Sequence, residues 1–263
     1  MKNITLNQQK ALGMFKKLHF KPGIPAGKIT AFMLKQKYIP PDFFYEALLT
    51  ELVTNTSVWL DVGCGRNLLP HDYELSKNLS NRAKLLVGID PDLNINDNVF
   101  VHMKKQVCLE DFETSQRFNL ITLRMVAEHV ESPVKFVRKI ARLTESSGLI
   151  VIYTVNKFGW VPFLTYITSF RIHLFFQKIL WEVEEDKDTF PTYMRMNTKK
   201  CLNKVFIKNG FEPVFFSYLE EASIFYKLFK PLFWLEIKFQ KLLTFTGLDM
   251  FKNNYLAVYR KLK

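Results

Sequence analysis

The run Val58-Trp59-Leu60-Asp61-Val62-Gly63-Cys64-Gly65-Arg66-Asn67 constrains this chain more than any other stretch. Its apolar residues, bounded by threonine, asparagine and serine, read as a buried strand. The run closes on the carboxylate of Asp61, and Gly63 and Gly65 follow, spaced one apart. Glycine admits positive φ and lets a ligand approach the backbone closely. Asn67 belongs to a residue type that tolerates left-handed backbone. Residues 68–79 then read as an irregular helix, interrupted early by Pro70. Strand, glycine turn and helix, in that order, make the nucleotide cradle of an open α/β sheet. The plainer alternative is a tight strand–helix turn that holds nothing.

Two ligand classes suit such a turn. The dinucleotide fingerprint G-x-G-x-x-G needs a third glycine where Leu68 stands. The S-adenosylmethionine (SAM) fingerprint, acidic-x-G-x-G, is met by Asp61, Gly63 and Gly65, with Asn67 at the usual place of a further glycine. Asp61 repels a pyrophosphate, whereas SAM carries an ammonium and a sulfonium and no phosphate. SAM is therefore favoured. A second apolar run, Leu85-Leu86-Val87-Gly88-Ile89, closes on Asp90. That is near the spacing at which an acidic residue accepts from both ribose hydroxyls. The alternative for Asp90 is a turn or cap residue ahead of Pro91-Asp92.

With these residues in place, the chain resembles the class I SAM-dependent methyltransferases. The group is the broad type-11 one that includes bacterial ubiquinone/menaquinone-biosynthesis enzymes. The resemblance also rests on Phe118-Asn119-Leu120-Ile121, on Val126-Ala127-Glu128-His129-Val130-Glu131-Ser132-Pro133 and on Ile140-Ala141-Arg142-Leu143. It continues through Gly148-Leu149-Ile150-Val151-Ile152-Tyr153-Thr154-Val155-Asn156 and is visible again around residues 188–198. It implies an α/β fold: a Rossmann-like, seven-stranded, mostly parallel sheet with an antiparallel last strand and helices on both faces. Helical insertions follow strands five and six. It implies an N-terminal helical cap over residues 1–55 and a methyltransferase domain over 56–263, with insertions at about 157–197 and 220–250. The implied cofactor is S-adenosyl-L-methionine, with no metal.

The resemblance also implies the site. Asp61 would meet the methionine ammonium, while Gly63, Cys64 and Gly65 give backbone access. Asp90 and Pro91 border the ribose, and Leu109 and Glu110 lie near the adenine. Arg124 ends strand four over the crevice. His129, at the start of the next helix, is the candidate to deprotonate an acceptor, with Arg124 beside it. A hydrogen-bonded structural histidine and a surface Glu110 are the alternatives. Three positions depart from the group: Asn119 replaces an Asp, Cys108 an adenine-contacting Asp, and Ser147-Gly148 a Pro-Gly-Gly turn.

Composition narrows the partners. The net charge of +12 suits an anionic partner or surface. Yet the lysines are spread along the chain, and no RNA-binding module accompanies the core, so a small-molecule, lipid or glycan acceptor ranks above nucleic acid. Cys64, Cys108 and Cys201 show no metal spacing and suit a reducing cytoplasm. Residues 1–28 lack the apolar core of a signal peptide, and no run reaches the length of a membrane span.

Elsewhere residues 42–53, 133–143 and 198–209 read as helices, and residues 99–102 with 106–109 as a third strand and its entry. Strand five covers 149–155, strand six 211–219 and the closing strand 255–259. The two insertions are crowded with aromatic residues, among them Trp160 and Phe163 in the first and Phe233, Trp234 and Phe239 in the second. Both follow strands whose ends lie on the ligand face, so they should cover the methyl-transfer site. Ordinary packing of these helices is the first reading. The second is a lid facing a lipid-like acceptor or the inner face of a membrane, with aromatics on one side and lysines on the other. A SAM-fold protein that binds without catalysing is the alternative to an enzyme.

Overall fold

Side chains alternate across each strand, so a strand covered on both faces needs apolar residues at every position. The computed structural model describes Gly13 and residues 38–70, 72–160, 190–220 and 230–263. In β1 (Val58–Val62), Trp59 joins the core on one face of the sheet, and Leu60 and Val62 join the core on the other. The same split recurs in β2 (Leu85–Asp90), β4 (Phe118–Arg124) and β5 (Thr144–Val155). With β3 (Met103–Gln106), β6 (Phe211–Leu219) and β7 (Asn254–Lys261) these form one seven-stranded sheet in the order β3-β2-β1-β4-β5-β7-β6. β1 to β5 pair in parallel, and β7 runs antiparallel to both β5 and β6. The sheet expected from the sequence is therefore present, including its reversed last strand.

Helix α1 (Pro41–Leu52) and α2 (Tyr73–Arg82) contribute to one core, with Tyr45, Leu48, Leu49, Leu75 and Leu79 buried. Helix α3 (Pro133–Leu143) and α4 (Lys199–Lys208) contribute Phe136, Val137, Ile140, Leu202 and Phe206 to the other. Helix α5 (Lys230–Phe245) lies between β6 and β7 in the chain, within the stretch expected as the second insertion.

Several boundaries move for identifiable reasons. Pro70 lacks an amide hydrogen, and α2 starts only after Asp72, whose side chain accepts from Leu75 N at 2.8 Å. Strand β3 lies at the sheet edge with four exposed side chains, so it carries no apolar run, and it starts after the first expected run and ends at Gln106, where the second was expected to begin. β5 starts five residues early, at Thr144, across an irregular stretch that contains Ser147 at φ 63°. Asn67 does not take left-handed backbone. Gly63 and Gly65 do, and so does Met125, directly after β4. The basic arm of residues 1–28, apart from Gly13, and most of the first insertion lie outside the described residues.

Candidate active site

Parallel β1, β2 and β4 end along one edge of the sheet, and the polar residues among their apolar neighbours collect there. Asp61 is buried and pairs in register with Gly88 on one side and Thr122 on the other. Trp59 Nε1 donates to Thr122 Oγ1 at 2.7 Å, and the Thr122 hydroxyl donates to Asp61 Oδ1 at 2.5 Å. Burial pushes the Asp61 carboxyl up to about 7, opposed by the Thr122 hydrogen bond and the nearby Arg124 charge. Asp61 has no ion pair among the described residues.

The glycine turn is braced from two sides. Gly63 N and Cys64 N both donate to Ile89 O, at 2.8 and 3.3 Å. Asp90 Oδ2 accepts from Gly65 N at 2.9 Å, and its Oδ1 accepts from Asp92 N at 2.9 Å. Asn98, fully buried, donates through Nδ2 to Cys64 O at 3.2 Å and Gly65 O at 3.0 Å. The two glycines differ in kind. A side chain at Gly63 would collide with a Val126 methyl, whereas a Cβ at Gly65 would meet open space. Cys64 is buried, and a Cβ at Gly88 would strike its sulfur at 2.7 Å, so this position closes the turn against β2.

Arg124 forms an ion pair with Asp42 of α1, Nη2 to Oδ1 at 2.9 Å, and both side chains are about three-quarters covered. Beside it Tyr45 stacks on Tyr153 with ring centroids 5.7 Å apart. His129 sits in the turn after β4, half buried, with Nδ1 donating to Pro191 O at 3.0 Å. That hydrogen bond leaves Nε2 as the basic nitrogen of the neutral ring. Next to it, buried Glu128 accepts from Thr154 Oγ1 at 2.6 Å, and its carbonyl accepts from Tyr193 N and Met194 N. Burial raises the Glu128 carboxyl above its ordinary range. Pro91 and Glu110 are exposed, and Leu109 is buried in the core with Val62 and Ile89. Asn119, far from this edge, bridges the start of β1: Oδ1 accepts from Val58 N and Nδ2 donates to Thr56 O, each at 3.0 Å. A carboxylate could not make the second bond, which accounts for the departure at this position.

The profile of the methyltransferase domain matches residues 37–214, more than half of the chain. The chain belongs to the methyltransferase-domain family. The ubiquinone biosynthesis O-methyltransferase of Bradyrhizobium diazoefficiens is 27% identical over 112 residues, 40% of this chain and 42% of that protein. The one from Coxiella burnetii is 29% identical over 107 residues, 37% and 43% respectively. The chain thus spans about two-fifths of the length of these curated relatives. Two solved structures share the fold. The N-methyltransferase NodS of Bradyrhizobium japonicum, in complex with S-adenosyl-L-homocysteine, matches with TM-score 0.51 and 11% identity over 97% of this chain and 99% of that one. A SAM-dependent methyltransferase from Mesorhizobium loti matches with TM-score 0.51 and 13% identity, over 84% and 98%.

The residues of this methyltransferase-domain chain fit a SAM-type cofactor on chemical grounds. A buried carboxylate with no ion pair among the described residues suits an ammonium, and the open space over Gly65 leaves the backbone approachable. Asp90 keeps spare lone pairs beside its two amide contacts. Sequence reasoning missed Thr122, Asn98, Asp42 and Tyr45, because each acts through a partner distant in the chain.

Proposed function

We propose that this protein transfers a methyl group from S-adenosyl-L-methionine to a small-molecule acceptor. The observation that carries the proposal is Asp61, a buried carboxylate lacking an ion pair among the described residues, held by Thr122 next to a glycine turn braced by Asp90. In this reading Asp61 meets the methionine ammonium, and Gly63, Cys64 and Gly65 present backbone to it. Asp90 takes the ribose hydroxyls, with Pro91 beside it, while Leu109 and Glu110 border the adenine. SAM supplies a methyl carbon already activated by the sulfonium charge. The protein's own contribution is alignment and exclusion of water. Arg124 and His129 stand toward the acceptor, and Nε2 of His129 is the base where the nucleophile keeps its proton.

A lipid-like or lipid-linked acceptor, met at an anionic membrane surface, is the finer reading. Among the described residues no helix is long and apolar enough to cross a membrane. Helix α5, however, turns Glu236 and Gln240 inward while Leu235, Phe239, Leu242 and Phe245 are exposed, the last at 89%. Lys238 and Lys241 are exposed beside them, and the helix's one carboxylate is buried, so this face suits an anionic bilayer. Two copies meeting through it would bring like charges together.

The test is an assay with methyl-labelled SAM and a cell extract partitioned by solvent polarity. Label in a solvent-soluble product supports the lipid reading, and label confined to the aqueous fraction overturns it. SAM binding with no labelled product in any fraction supports the non-catalytic alternative. Flotation with anionic vesicles tests the α5 surface separately: protein that stays at the bottom contradicts it.

A further inference from the structure

The sheet edge that carries the cofactor crevice continues past the ends of β5 and β6. There a groove of about 810 Å³ opens between Lys157 and Phe158, in the turn after β5, and the start of α4. Four cations line it: Lys157, Arg195, Lys199 and Lys200. None of them forms an ion pair with a described residue. Asp249, whose charge reaches the Tyr218 hydroxyl in the groove wall, is itself held by Lys252 at 2.6 Å. Thr198 caps α4 by accepting from Cys201 N at 3.2 Å. The amides of Lys199 and Lys200 have no described acceptor and add the positive end of the helix to the same concavity.

The lining is also fixed in place. Tyr193 N and Met194 N are tied to Glu128 O at 2.8 and 3.1 Å, and Met194 takes left-handed backbone at φ 52°. Arg195 lies 5.3 Å from the Tyr193 ring centre and donates to Glu131 O at 2.5 Å, while Lys199 Nζ lies 4.9 Å over Phe216. Four cations without an ion-pair partner among the described residues repel one another unless an anion shares the site. SAM carries no phosphate, and the crevice at β1 and β2 already answers its polar groups.

We infer that this groove binds a phosphate-type anionic group on the methyl acceptor. The inference rests on the reading that this edge is the acceptor side, but anion binding is measurable without it. A second basic concavity, around Arg117, Arg138 and Arg142, contains Glu145 and the ammonium of Lys261, which donates to Ala141 O and Thr144 O.

The experiment uses the whole chain and two probes: glycerol 3-phosphate, and dihexanoyl phosphatidic acid below its micelle concentration. Calorimetry compares the wild type with a groove variant (Lys157→Gln, Lys199→Gln, Lys200→Gln) and an equally neutralised control (Lys77→Gln, Lys84→Gln, Lys135→Gln). The groove variant should bind about tenfold more weakly, as loss of charge-assisted contacts implies, and the control within about twofold. Bound probe should also slow alkylation of Cys201, which lines the groove, while exposed Cys108 reacts unchanged. Equal binding by the phospholipid and the free phosphate assigns a soluble phosphate compound. Tighter phospholipid binding assigns a lipid headgroup, and either result upholds the site. Equal losses in the two variants, or an unprotected Cys201, overturn it. S-adenosylhomocysteine titrated into the groove variant keeps the questions apart. Intact cofactor binding with lost phosphate binding locates the defect in the groove, and absent cofactor binding in the wild type counts against the methyltransferase proposal alone.

Discussion

Asp90 Oδ2 accepts a hydrogen bond from Gly65 N at 2.9 Å, so the carboxylate that ends β2 holds the turn that follows β1. The residue assigned to the ribose hydroxyls is thereby also part of the scaffold of the glycine loop. Asp90→Asn replaces one acceptor with a donor facing a backbone N–H. Binding of S-adenosylhomocysteine should weaken by about tenfold to a hundredfold, the scale of one or two charge-assisted hydrogen bonds. The rise in melting temperature on adding the ligand reads this, and a wild-type rise in the variant would contradict it.

Asp61 gives a pH signature. Its folded-state carboxyl lies at about 7, raised by burial. A raised acid favours the folded state below its unfolded value, about 3.9, and that contribution is lost as pH rises through 7. Binding of an ammonium favours the ionised form. Cofactor affinity should therefore rise with pH up to about 7 and level off above it, with a proton released on binding below 7. Asp61→Asn should flatten the curve as well as lower it. Calorimetry in buffers of different ionisation enthalpy counts the proton, and zero release at pH 6 would sink this role for Asp61.

Gly63 and Gly65 should fail differently when changed to alanine. Both have positive φ, which costs an alanine about 1–2 kcal/mol. Gly63→Ala adds a collision with Val126, so its main effect should be lost stability. Gly65→Ala points a methyl into open space, so its main effect should be lost cofactor binding. Urea unfolding alongside ligand titration separates the two, and identical profiles would contradict the distinction.

The pair Arg124–Asp42 fastens α1 to the end of β4. Asp42→Ala leaves a largely covered guanidinium without its partner. Stability should fall by about 1–3 kcal/mol. The double variant with Arg124→Ala should recover part of that loss, which a double-mutant cycle in urea would show. Strict additivity would mean that the pair is not coupled.

The sheet was legible because β1, β2, β4 and β5 are buried on both faces and so write continuous apolar runs. The glycine turn was legible because Gly63 and Gly65 satisfy a backbone requirement that other residues meet poorly. β3 was misplaced because Met103, Lys104, Lys105 and Gln106 form an exposed edge with no apolar run or alternation to mark it. The site's supporting residues were hidden for a different reason. Thr122 and Asn98 matter through what they touch, and their contacts span 61 and 34 positions of chain. In α5 the inward face mixes Phe233, Ile237 and Leu243 with Glu236 and Gln240, while Leu235, Phe239 and Leu242 are exposed, so apolar periodicity alone does not tell its two faces apart.

The central claim is that one adenosyl sulfonium compound lies at the ends of β1 and β2. Titrating S-adenosylhomocysteine into the folded protein at pH 8 in a calorimeter tests it most directly. The account predicts saturable heat with one ligand per chain, abolished by Asp90→Ala in a protein that retains its circular dichroism. A flat trace from the wild type, or undiminished binding by that variant, would contradict it.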